Sequence, residues 1–188
     1  MASAHGPRAV GTDGSDHWHR ESVAWQYRIS SINKSRLKTC TAVQLILGLA
    51  VFIRLLPGIT SLVGLSLYQK LRQWDVPAPK SWEYAWIVSL VAALLGLKSL
   101  AKNEMLLLKQ YMIGTVVFGL LPVIYGMIDQ IDDMYAYLYD KKYTTRIFGY
   151  PAVVVWFLFL AVALQLHGFG LYFASVLFQA WRPKPKKS

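Results

Sequence analysis

Cysteine is almost missing from this chain. Cys40 stands alone among 188 residues, so no disulfide framework holds the protein together. Charge is scarce as well: only 16% of residues are charged, against about 25% in an average soluble domain. No glycine-rich phosphate loop, no cluster with metal-ligand spacing and no nucleophile, base and orienter are found. His17 and His19 lack the further ligands of a zinc set. A disulfide-stapled secreted module is therefore excluded. No catalytic, cofactor or metal site and no nucleic-acid partner is expected. The first 38 residues are polar and lack the short apolar core and cleavage site of a removable signal, so the first apolar run is expected to act as the signal itself.

What the chain has in quantity is apolar length. Four runs lie near 39–56, 84–100, 105–127 and 150–178. In Ala152–Leu166 only Gln165 is polar, so no face of such a helix meets water. A chain this short has too little interior to bury four such helices in a soluble core. A hydrocarbon layer about 30 Å thick is crossed by about 20 helical residues. These runs match that length and predict an all-α membrane protein with four transmembrane helices in a compact bundle. Trp82, Tyr84 and Trp86 near the second run, and Tyr150 and Trp181 around the fourth, suit membrane interfaces.

The charges then suggest a sidedness. Four spans put both termini on one side. That side holds thirteen basic residues: six before the first span, Lys98, Lys102 and Lys109 around the second-to-third connection, and Arg182, Lys184, Lys186 and Lys187 in the tail. Six lie opposite, and Arg54 falls within the first run. The basic excess faces the cytosol, so both termini are expected there. The resulting organisation is a cytosolic, partly disordered segment over 1–38, a transmembrane domain over 39–178 and a basic cytosolic tail over 179–188. Residues 1–22 favour turns and mobility. Residues 23–38, basic with interspersed Trp25, Tyr27 and Ile32, form a positive flank or lie on an anionic leaflet.

Few polar groups enter the spans. Arg54 and Lys98 are read as snorkelling, because no Asp or Glu lies inside a run to pair with them. Gln165 and His167, two residues apart, face different ways and are candidates for interhelical polar contacts. Asp129, Asp132 and Asp133 share a helical face but lack the order of a calcium loop, and are read as solvated acids. Cys40 is juxtamembrane, and packing is favoured there over lipidation. Beyond Pro57-Gly58, residues 59–67 either continue the first helix or lie at the interface. Asn33-Lys34-Ser35 is a glycosylation acceptor sequence whose cytosolic placement leaves it unmodified. The chain ends Lys184-Pro-Lys-Lys-Ser188, with lysines third and fifth from the end. That spacing is similar to the dilysine retrieval signal read by the coatomer coat, with Lys184 and Lys186 as its sorting residues.

Several segments together resemble the jagunal family. They are Gly11-Thr-Asp-Gly-Ser-Asp16, Arg20 through Ala24 with Tyr27, Asn33-Lys-Ser-Arg-Leu-Lys38 and Trp82-Glu-Tyr84. Later come Leu121-Pro-Val-Ile-Tyr-Gly126, Gly149-Tyr-Pro151, and Gln165-Leu-His-Gly-Phe169 with Leu171-Tyr-Phe173. The resemblance spans nearly the whole chain. It implies a multi-pass protein of the endoplasmic reticulum membrane that supports reticulum organisation and vesicle-mediated transport in the early secretory pathway. In vertebrates it implies a part in neutrophil differentiation and function. The expected partners are the lipid bilayer, the coatomer coat through the tail and other secretory-pathway proteins. No enzymatic activity is implied. A small membrane transporter or channel is the alternative, and a membrane-embedded lipid enzyme ranks below it.

Overall fold

Residues 15–62, 78–140, 145–147 and 149–182 are described by a computed structural model. Four helices dominate. The first, Ser15–Leu62, has 48 residues and would reach about 72 Å at 1.5 Å per residue. The second spans Ser81–Lys102, with Ser81–Ile87 and Ser89–Lys102 meeting at Val88. The third spans Met105–Asp129 and the fourth Ala152–Trp181. All four are long and apolar enough to cross a membrane.

The ends of these helices differ from the sequence expectation. The first begins within the segment expected to be mobile, and residues 23–38 simply continue it. Among the described residues, 23–38 form no element separate from the first helix. Pro57 sits inside the helix, which runs on to Leu62, so at least residues 59–62 continue it. Pro57 removes one backbone donor, and Thr60 Oγ1 donates nearby to the Leu56 carbonyl at 2.8 Å. The second helix starts three residues earlier than expected, at Ser81. The acidic, tyrosine-rich stretch after the third helix is not simply a loop. Ile131–Tyr135 is helical, and Ala136–Asp140 follows as a π-turn.

Between the second and third helices the chain reverses tightly. Asn103 takes a left-handed conformation (φ 56°), and its N–H returns to the Ser99 carbonyl, a common helix ending that asparagine tolerates. The third helix contains a wider turn over Thr115–Leu120, where the Leu121 N–H reaches the Val116 carbonyl five residues back. Pro122 follows directly and lacks a donor. The wider turn accommodates that gap.

The helices form a ring in which each packs on its sequence neighbours and the first closes on the fourth. Two clusters fill the interior. At one end Val51, Leu55, Trp82, Trp86, Val123, Trp156, Leu160 and Ala163 meet, with Ile147 and Ala152 beside them. A short hairpin pairs Arg146–Ile147 with Tyr150–Pro151 at this end. At the other end, where the N-terminal part of the first helix meets the end of the fourth, Leu37, Ala92, Leu108, Tyr111, Ala174 and Leu177 pack together.

Candidate functional site

One stripe of the second helix carries side chains that make polar ties to its neighbours. Glu83, Trp86 and Ser89 recur every third residue, the spacing that keeps side chains on one helical face. All three are buried, and each ties the second helix to a neighbour.

The strongest tie is ionic. Arg54 Nη2 donates to Glu83 Oε1 at 2.9 Å, with side-chain exposures of 12% and 0%. The same carboxylate oxygen accepts the Lys80 backbone N–H at 3.0 Å, closing the start of the second helix in the manner of a capping box. The Arg54 guanidinium lies 4.5 Å from the Trp156 ring centroid, a cation–π contact. Trp156 meets Trp82 edge-on at 5.3 Å and Phe159 at 5.7 Å, and Phe159 meets Trp86 at 5.2 Å. Arg54 therefore does not snorkel. The expectation failed because the second run was started at Tyr84, which left Glu83 outside it. Once the helix begins at Ser81, Glu83 falls in its first turn and inside the packing.

The second tie lies deeper. Trp86 Nε1 donates to His167 Nε2 at 2.9 Å. Indole can only donate, so Nε2 carries the lone pair and the neutral ring holds its proton on Nδ1. His167 is buried against Gly119, where an added Cβ would lie 2.8 Å from the ring. The third tie joins Gln44 Nε2 to Ser89 Oγ at 3.1 Å and to the Ser89 carbonyl at 3.3 Å. Gln165 is exposed on the fourth helix, so of the two polar residues singled out there only His167 enters the interior.

A further cluster stands where the second helix begins and the third ends. Lys80 Nζ lies 2.9 Å from Asp129 and 3.2 Å from Asp133. Partial burial pulls the Lys80 pKa down, but hydrogen bonds to Asp129 and Asp133 outweigh it, and the net shift is upward. Two of the three acids read as simply solvated are thus ion-paired. Lys98 is exposed at its end of the second helix, and Cys40 is a half-buried free thiol. Asn33 is buried and donates to the Ile29 carbonyl at 2.8 Å. The Asn33 side chain is therefore shielded by packing, while Ser35 of the same acceptor sequence is exposed. Lys184 and Lys186 lie outside the described residues. Among the described residues no group of three or more His, Cys, Asp or Glu is placed to hold a metal ion.

The family model described as Jagunal, ER re-organisation during oogenesis, matches residues 1–185. The chain belongs to the jagunal family. Protein jagunal of Drosophila melanogaster is 36% identical over 191 residues, covering 98% of this chain and 96% of its own. Protein jagunal homolog 1 of Homo sapiens is 35% identical over 182 residues, covering 96% and 94%. The Caenorhabditis elegans protein jagunal homolog is 31% identical over 192 residues, covering 96% and 97%. All four helices of this jagunal-family chain, and all three polar ties, lie within the matched stretch. Sequence reading singled out His167 as an interhelical polar contact but missed its partner Trp86 and the other two ties. The available signal was the Glu83, Trp86, Ser89 spacing, which becomes visible only when the helix start is placed correctly.

Proposed function

We propose that this chain is a multi-pass protein of the endoplasmic reticulum membrane that supports reticulum organisation and vesicle-mediated transport in the early secretory pathway. The observation that carries this reading is the whole-chain family match, whose description names reorganisation of the endoplasmic reticulum. In this reading both termini face the cytosol, following the basic excess on that side. The segment over 1–38 and the tail are the cytosolic recruiting segments, and Lys184 and Lys186 engage the coatomer coat as a dilysine-type signal. The role is non-enzymatic, with the bundle acting as a platform.

Replacing Lys184 and Lys186 together by Ser tests the tail. The tagged chain is expected to move from the reticulum toward the Golgi and cell surface and to lose coatomer capture. Unchanged residence with unchanged capture would overturn the signal.

One observation bears on the transporter alternative. Glu83 supplies an intramembrane carboxylate, which a polar path would need. It is held by Arg54 and surrounded by tryptophans, and His167 is closed in by Trp86 and Gly119. These contacts favour a locked bundle. In sealed vesicles, Glu83→Gln is expected to leave ion and solute flux at the level of empty vesicles, as is the unaltered chain. Flux above that level, abolished by Glu83→Gln, would restore the alternative.

A further inference from the structure

Thr115 on the third helix is 0% exposed, and its hydroxyl has no hydrogen-bond partner in the protein. Other threonines of the bundle behave differently. Thr41, buried to the same degree, donates to the Leu37 carbonyl one turn back. Thr39 and Thr60 do the same with the carbonyls of Ser35 and Leu56. A helical threonine commonly closes on its own turn in this way. His167 on the fourth helix, 1% exposed, shows a matching deficit. Its Nε2 accepts from Trp86, and Nδ1, which carries the ring proton, has no acceptor. A buried donor left without an acceptor is costly.

The two groups border one gap. A Cβ built on Gly119 would lie 2.9 Å from His167 Nδ1. Thr115 stands four residues before Gly119, on the same helical face and about 6 Å away along the axis. The separation this implies is about two hydrogen-bond lengths, too long for a direct bond and suited to one atom between them. Glycine leaves the room. Gly119 and Gly170 face the space between the third and fourth helices, and a Cβ at Gly170 would run into the Tyr111 hydroxyl. That hydroxyl stands beside Thr115 without reaching hydrogen-bond geometry with it. The wide turn over Thr115–Leu120 opens at the same level, and such turns are frequent at sites that hold something. The bordering groups are neutral, so an ion has no counter-charge there. A water needs two to four polar partners, and three are present.

We propose that one water molecule is bound between the third and fourth helices, accepting from His167 Nδ1–H and donating to Thr115 Oγ1, with Tyr111 Oη as its third neighbour. The three direct polar ties join the first, second and fourth helices, and none of them reaches the third. The bound water extends the Trp86–His167 tie to Thr115, and a bridging water serves nearly as well as a direct hydrogen bond. The register of the third helix is then set by the same polar chain. The chain locks and does not conduct, because the Trp86 indole at its end can only donate.

The test uses the full chain in nanodiscs with isotopically labelled histidine, read by magnetic resonance. The His167 ring is assigned as the signal missing from His167→Phe. In the unaltered chain its proton is expected on Nδ1, with a dipolar cross-peak from Nδ1–H to a water held longer than bulk water. A proton on Nε2, no water cross-peak, or a contact only to the Thr115 or Tyr111 hydroxyl proton would overturn the site. That measurement needs no variant, so it stands even where a substitution fails to fold. Thr115→Val keeps the shape of the side chain and removes its hydroxyl. The water cross-peak is expected to disappear in it and to return in Thr115→Ser. The Trp86 indole N–H line should hold its position in both, because its bond to Nε2 is separate. A water cross-peak that persists unchanged in Thr115→Val would also overturn the proposal.

Discussion

The two ends of the bundle hold together by different means. At the hairpin end, Trp82, Trp86 and Trp156 enclose the Arg54–Glu83 pair, and the buried surface is aromatic and charged. At the end near the chain termini, Leu37, Leu108, Leu177, Ala92 and Ala174 pack around the Tyr111 ring. Polar contacts between helices there include two near the rim: Trp181 Nε1 donates to Ser30 Oγ at 3.0 Å, and Lys34 stands over the Trp181 ring. Apolar side chains alone do not choose between helix partners in lipid, because the tails are equally apolar. Directional ties do choose. Glu83 accepts only from a helix that brings a donor to its level, and His167 only from one that brings an indole. The hairpin end therefore sets the register of the first, second and fourth helices, and the other end fills space behind it.

Breaking the ionic tie is expected to have the largest effect. Glu83→Ala leaves a buried guanidinium without its carboxylate, and loss of one partner of a buried pair costs about 3–5 kcal/mol. Thermal unfolding in detergent or nanodiscs should show a drop of that size. Replacing both residues, Arg54→Met with Glu83→Leu, should recover most of it, since no orphaned charge remains. A double variant as unstable as Glu83→Ala would show that the pair matters beyond its own neutralisation.

His167→Phe probes the deeper tie. It keeps bulk beside Gly119 but offers Trp86 no acceptor. Interhelical hydrogen bonds in membranes contribute about 0.6–2 kcal/mol, and a destabilisation in that range is expected by the same unfolding measurement. The Trp86 indole N–H resonance should shift at the same time. An unmoved resonance would show that the tie is not made in the membrane.

Lys80 marks the edge of the contrast. Its cluster is partly exposed, so Lys80→Gln is expected to cost no more than about 1 kcal/mol. The pH dependence follows from the upward shift of its pKa in the folded chain. Its contribution is complete below the unfolded value and disappears as pH rises through the higher folded value. The melting-point difference between this variant and the unaltered chain should stay constant from neutral pH to about 10 and close above that. A difference that vanished at lower pH would assign the contribution to another group.

Much of the architecture was legible from hydropathy alone. Four runs long enough to cross a bilayer predicted four helices, and four helices of that length are found among the described residues. The interior ties were not legible, for a specific reason. Glu83 was counted as outside because a window of apolar residues ends where charge begins. In this chain the charge belongs to the first turn of the helix and is neutralised by Arg54, which stands 29 positions earlier. Pairing between residues that far apart leaves no periodic signal. Gly119 and Gly126 present the same difficulty. Each makes room for a ring, His167 at one and Trp82 at the other.

The sequence by itself determined the solvent of this protein, the number of its spans and the family it resembles, because long apolar runs and local motifs survive in one dimension. Only the tertiary structure decided which polar groups meet. Arg54, Glu83, Trp86 and His167 come from three different helices, and a charge in lipid can be satisfied only by a partner at its own depth.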